Sequence, residues 1–148
     1  MNEIDIKIIR LLQSNGKLSY SEIGESVELS ITAVKERIKK LVNSNVLGDN
    51  VYIPNPNMLE FDICAFVQVL MPSPAEENNF ISKVNTVAEI QECHFITGEY
   101  SYLLKIRVKK SRDLEKVLAE KIKTIEGVQR TNTIMVLSTY KENLKLSI

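Results

Sequence analysis

The chain has 148 residues, enough for one domain or two small ones. Hydrophobic residues make up 44 % and charged residues 26 %, with 19 basic and 19 acidic side chains. That balance excludes a disordered chain and a protein that coats nucleic acid by net charge alone, while leaving room for a local basic surface. No apolar run approaches the roughly 18 residues that span a bilayer. The opening Met1-Asn2-Glu3-Ile4-Asp5 lacks a basic segment and an apolar signal core, which reads as cytoplasmic. Cys64 and Cys93 sit in apolar strand-like runs and read as core residues. With one histidine elsewhere they form no zinc pattern, so neither metal nor cofactor is expected.

Ile4, Ile8, Ile9, Leu11 and Leu12 recur at helical spacing, with Asn2 as cap and Asn15-Gly16 as stop. Ser19 with Glu22 three residues on forms a capping-box signature for a second helix. Its apolar side is Tyr20, Ile23 and Val27, and Gly24 inside it suits close helix packing. Ser26 to Leu29 leaves room only for a sharp turn. A third helix runs from Ser30, its cap, to about Asn43. Val34, Ile38 and Leu41 form its buried stripe, with Ile31 at the edge. Thr32, Lys35, Glu36, Lys39 and Lys40 face away and Arg37 flanks the stripe. Ser30 to Leu41 holds four basic residues and one acidic, a local +3 in a chain of net charge 0. Helix, tight turn, then a helix with a polar and basic outer face is a DNA-reading arrangement. The same pattern also fits a small helical bundle whose charges only face solvent. Val46-Leu47 and Val51-Tyr52-Ile53 around Gly48-Asp49-Asn50 suggest a minimal wing, and Asn55-Pro56-Asn57 breaks regular structure.

The remainder alternates strands and helices. Strands are expected at Phe61 to Met71, Ile90 to Thr97, Ser101 to Lys109 and Val128 to Leu137. Helices are expected from Ser73 or Pro74 through Val84 and from Ser111 to about Ile125, where Gly127 ends the second. The order is βαββαβ, so the fold class is α+β: an N-terminal winged helix-turn-helix followed by a ferredoxin-like unit. The expected domains are residues 1–53 and 61–148, with a linker at 54–60. Both helices cover one sheet face. Phe66, Phe95, Ile134 and Val136 add apolar surface to the sheet, and a second copy is the simplest cover, giving a two-fold dimer.

The whole pattern resembles the Lrp/AsnC family, the leucine-responsive or feast/famine regulators. The matching residues include Ile4-Asp5, Leu11-Leu12-Gln13, Asn15 to Ser19, Leu29-Ser30, Val34 to Leu41, Val46-Leu47 and Asn55-Pro56. They continue through Leu59, Thr97 to Leu104, Gly127-Val128, Arg130-Thr131 and Thr133. The resemblance implies a homodimer that assembles into tetramers or octamers, binds double-stranded DNA and answers a small molecule such as an amino acid. It implies an effector site near the turn Gly98 to Tyr102. The chain departs from the family in having Ser101 where aspartate is common. It has Asn45, Asp49 and Glu60 where glycine is common, and Asn50 where an aromatic is common.

Chemistry assigns the roles. Ser30 and Thr32 near the third helix's N-terminus are candidates for phosphate, as are Lys40 and, on the preceding helix, Tyr20 and Ser21. Lys35, Glu36 and Lys39 are candidates for base edges. Arg37 either contacts phosphate or braces the domain. Gly98, Glu99, Tyr100, Ser101, Tyr102 and Thr131 are candidate effector contacts, or a dimer contact without ligand. His94 reads as a polar interface residue. An enzyme has no support, since no catalytic pair, phosphate loop or nucleophile elbow is present. The alternative function is a small-molecule-sensing oligomer that has lost DNA binding and acts through protein partners.

Overall fold

The computed structural model describes residues 1–148, Pro74 by its backbone. The chain divides into two compact units: Met1–Ile53 together with Glu142–Ile148, and Pro54–Lys141. Glu142–Ile148, expected in the sheet domain, therefore packs with the helices instead.

The first unit holds three helices, α1 (Glu3–Ser14), α2 (Tyr20–Val27) and α3 (Ile31–Asn43). Asn2 and Asp5 cap α1 reciprocally, each backbone N–H donating to the other's side chain at 3.0 Å. Ser19 and Glu22 do the same for α2, and Ser30 Oγ accepts the Ala33 N–H at the start of α3. The inward stripes meet in a small core of Ile8, Ile9, Ile23, Val27, Val34 and Leu41.

The expected wing strands are absent. After α3 the Val46 and Leu47 N–H groups both donate to Leu41 O, Asn45 turns at φ 56°, and residues 44–53 run without strand. Two- and three-residue strands make too few ladder bonds to hold a hairpin unaided. Val51, Tyr52 and Ile53 are 70 %, 84 % and 73 % exposed, so no burial supports one.

The second unit is a four-stranded antiparallel sheet in the order β2-β3-β1-β4, the ferredoxin-like arrangement. Its strands are β1 (Ile63–Leu70), β2 (Ile90–Phe95), β3 (Tyr102–Val108) and β4 (Arg130–Met135). Helix α4 (Glu77–Val84) follows a 3₁₀ turn at Pro74–Glu76, where Ser73 Oγ accepts the Ala75 N–H. Ala65, Val67 and Val69 of β1 and Tyr102, Leu104, Ile106 and Val108 of β3 pack against Phe80, Val84, Leu114, Val117 and Ile122 of the helical layer.

Two irregularities escape a simple period. A register shift between Ile90 and Glu92 places Ile90 opposite Ile106 and Cys93 opposite Leu104. The bulge puts Cys93 on the core face with Ile90, against strict alternation. Helix α5 (Ser111–Lys116) opens after Lys110 rather than Ser111 as cap, with Asp113 accepting the Lys110 N–H. It widens into a π-helical turn over Val117–Ile122, where Lys123 N–H reaches back five residues to Leu118 O. The wider turn buries both Val117 and Ile122, which an ideal α-helix holds about 140° apart.

Candidate DNA-reading surface and effector turn

The α2–α3 turn fixes the candidate reading helix. Glu28 caps α2 in the left-handed conformation at φ 57°, and the Leu29 N–H donates to Gly24 O at 2.9 Å. A Cβ on Gly24 would stand 2.6 Å from Leu29 O and 3.7 Å from Val34 Cγ2. Glycine is therefore required so that the chain can fold back against α2 and start α3 at once.

Val34 and Leu41 of α3 are buried and Ile38 is partly so. Thr32, Lys35, Glu36, Lys39 and Lys40 are exposed, and Lys35, Lys39 and Lys40 form no ion pair among the described residues. Tyr20, Ser21 and Ser30 are exposed as well. The result is a basic face with free donors beside the hydroxyl-bearing start of α3. Arg37 lies differently. Its Nη1 donates to Asp5 Oδ1 at 2.8 Å, tying α3 to α1. The Asp5 carboxylate also accepts the Asn2 backbone N–H, and that bond first, with Arg37 after it, holds its pKa below the ordinary aspartate range.

In the second unit Ser101 is a hub. Its N–H donates to Val69 O, and its hydroxyl donates to Met71 O at 2.9 Å and accepts from Met71 N at 3.2 Å. Thr131 pairs with Val69 from the other side of β1. The turn and Thr131 thus converge on one end of the central strand. Gly98 adopts φ +117° with open space around it, so its constraint is backbone conformation alone. Arg130, which sequence reasoning left outside the site, pairs with Glu99 and lies 5.2 Å from the Tyr100 ring centre. Its place next to Thr131 in the Arg130-Thr131 pair is the signal that could have found it.

Tyr102 stands apart from the other turn residues. It is buried on the helix-facing side, its ring tilted against Phe80 with centroids 4.6 Å apart, and its hydroxyl donates to Glu77 Oε1 at 2.7 Å. Burial and then the Glu77 carboxylate push its pKa up to about 12, so it stays a neutral donor. Phe95 pairs with Tyr102 and contacts its ring at 5.4 Å, so it shares that side. The open sheet face carries Phe66 opposite Ile134, with Gln68 bonded to Asn132. His94 on β2 is exposed and lies 3.2 Å from Glu92, which also accepts from Lys105.

An exposed basic helix set by an obligate tight turn, on a chain that continues into a βαββαβ unit, is the build of a helix-turn-helix DNA-binding regulator. Comparison with known proteins gives the family. Residues 1–42 match the AsnC-type helix-turn-helix domain and residues 64–146 match the Lrp/AsnC ligand binding domain. The chain is 36 % identical over 148 residues to HTH-type transcriptional regulator FL11 of Pyrococcus abyssi, covering 100 % of this chain and 97 % of that one. It is 33 % identical over 144 residues to the proline dehydrogenase transcriptional activator of Rhizobium radiobacter, covering 96 % and 92 %. A Neisseria meningitidis transcriptional regulator solved in complex with L-Met superposes with a TM-score of 0.91 at 26 % identity, over 99 % of this chain and 96 % of that one. The chain belongs to the Lrp/AsnC family of transcriptional regulators, and its function is control of transcription rather than catalysis. Among the described residues no helix is long and apolar enough to cross a membrane.

Proposed function

We propose that the protein reads a specific DNA sequence as a homodimer and that an amino acid bound at the Gly98–Ser101 turn modulates it. The observation that carries the reading is the face of α3, whose lysines are exposed and unpaired while its one arginine is engaged internally. Lys35, Glu36 and Lys39 meet base edges in a major groove, and Ser30, Thr32, Lys40, Tyr20 and Ser21 meet phosphates. Arg37 acts as a brace through Asp5 and touches no DNA. The open sheet face around Phe66 and Ile134 is covered by a second copy, which spaces two reading helices for two half-sites. The exposed Arg130–Glu99 pair suits a zwitterion, with carboxylate to Arg130 and ammonium to Glu99.

Selection of genomic fragments by the purified protein at two salt concentrations tests the DNA reading. A specific site is expected, and Lys39→Ala is expected to weaken it by about 1–3 kcal/mol. Binding that depends on salt but not on sequence, or full affinity in the folded variant, would sink it. A thermal-shift screen of amino acids tests the effector: at least one is expected to raise the melting temperature of the wild type and not of Arg130→Ala.

A further inference from the structure

The seven residues Glu142–Ile148 leave the sheet unit and settle on the outer face of α1. The side-chain amide of Gln13 exchanges two hydrogen bonds with one tail residue: Leu146 N–H donates to Gln13 Oε1 at 2.7 Å, and Gln13 Nε2 donates to Leu146 O at 3.4 Å. This is the pairing a neighbouring strand would supply. One helical turn earlier, Arg10 Nε donates to Ile148 O at 2.5 Å. Gln13 meets Leu146 and Arg10 meets Ile148, so the tail runs antiparallel to α1. Three helical residues rise about 4.5 Å and two extended residues span at most about 7 Å. The long arginine side chain absorbs the difference.

Apolar burial does not hold the tail in place. Leu144 and Leu146 are 77 % and 71 % exposed, and these three bonds lie at the surface. An attachment made of exposed hydrogen bonds is reversible. Its topology gives it leverage, because the polypeptide crosses between the units once at Ile53–Pro54 and again at Lys141–Glu142. With the tail in place the helical unit is tethered at two points, and with the tail released it hangs from one.

We propose that Glu142–Ile148 is a detachable strap that restricts the reach of the DNA-reading unit through Gln13 and Arg10. The inference rests on the proposed dimeric DNA reading. Once one α3 has engaged its half-site, the second binds at an effective concentration set by the freedom of its tether. Two tethers confine the unit and raise that concentration. The strap thereby tightens binding to paired half-sites without touching DNA, and whatever competes for Gln13 or for the tail loosens it.

Two full-length variants test this from opposite sides. Gln13→Ala removes the two Gln13 bonds and leaves that of Arg10, and Leu146→Pro removes the tail's donor at an exposed position. Neither residue belongs to the proposed DNA or effector contacts. Hydrogen exchange is expected to show slow exchange at the Leu146 amide in wild type and fast exchange in Gln13→Ala, with α3 protection unchanged in both variants. Affinity for duplex with one half-site is expected to stay within about twofold, while affinity for paired half-sites falls roughly three- to tenfold. Fast tail exchange in wild type overturns the strap. So does equal weakening on single and paired half-sites, or unchanged affinity on both. If wild type binds no specific DNA, the proposed function fails, and the exchange measurement still decides whether the tail is held.

Discussion

The two units are stabilised by different means. The sheet unit rests on a cluster of fifteen buried residues, whereas the reading unit has six. At about 1.5–3 kcal/mol for each fully buried large apolar side chain, the larger core can lose a contact and remain folded, and the smaller one has little in reserve. The reading unit relies on local devices instead: reciprocal caps on α1 and α2, the Arg37–Asp5 tie and a glycine under Leu29 O. A unit that must hold α3 at a fixed angle gains precision from such devices. It also becomes sensitive to single changes that the sheet unit would absorb.

Gly24→Ala is the sharpest way to break the contrast. The new Cβ meets a backbone carbonyl at 2.6 Å, which no rotamer relieves, so the α2–α3 turn must open. The reading unit is expected to lose about 2–3 kcal/mol and specific DNA binding with it, while the sheet unit keeps its fold. Thermal denaturation followed at both units, together with a DNA-binding assay, checks this. A variant that binds and melts like wild type would show that the turn is not a constraint.

A smaller effect comes from Asp5. Its folded-state pKa lies below the ordinary value, so the stability it supplies is fully present above about pH 3.9, the unfolded value. That stability is lost as pH falls through the folded value. Asp5→Asn is expected to cost the reading unit about 1 kcal/mol or less at neutral pH, discounted for partial exposure, and to flatten its acid dependence below pH ~4. Acid titrations of both proteins by circular dichroism check the sign. Parallel curves would mean that the Asp5–Arg37 tie does not contribute.

The same contrast decides what could be seen in the sequence. Val34, Ile38 and Leu41 announce α3 by spacing, and its lysines then fall on the outer face by geometry alone. Tyr102, Leu104, Ile106 and Val108 alternate as a half-buried strand must, and they form the core face of β3. Features that depend on partners distant in sequence were not legible. The wing lacks a supporting surface, the Gln91 bulge is invisible to a period of two, and the π-turn at Val117–Ile122 reads as ordinary helix. Arg37 was ambiguous because its partner Asp5 lies 32 residues away. The tail, with no helical stripe and no long strand, gave no sign of returning to α1. At the candidate effector turn, the family resemblance groups Tyr102 with Ser101, whereas neighbouring residues on a strand face opposite ways and Tyr102 turns to Phe80 and Glu77.

The mildest test compares one substitution in both units. Glu28 in the reading unit and Glu60 in the sheet unit hold left-handed backbone, at φ 57° and 63°. Such a conformation costs a non-glycine residue roughly 1–2 kcal/mol, and glycine returns part of that gain as chain entropy. Each glutamate-to-glycine change is therefore expected to stabilise its unit by about 0.5 kcal/mol. The Glu60–Lys109 pair does not offset this, since at 3.6 Å between exposed side chains it contributes little. A small domain moves by roughly 4–8 °C per kcal/mol, more for fewer residues, so Glu28→Gly should raise its transition further than Glu60→Gly raises its own. Calorimetry on the two variants separates the outcomes. If each change moves only its own transition, the units fold on separate reserves. If both changes shift a single transition equally, the two cores unfold together and the small one draws on the large.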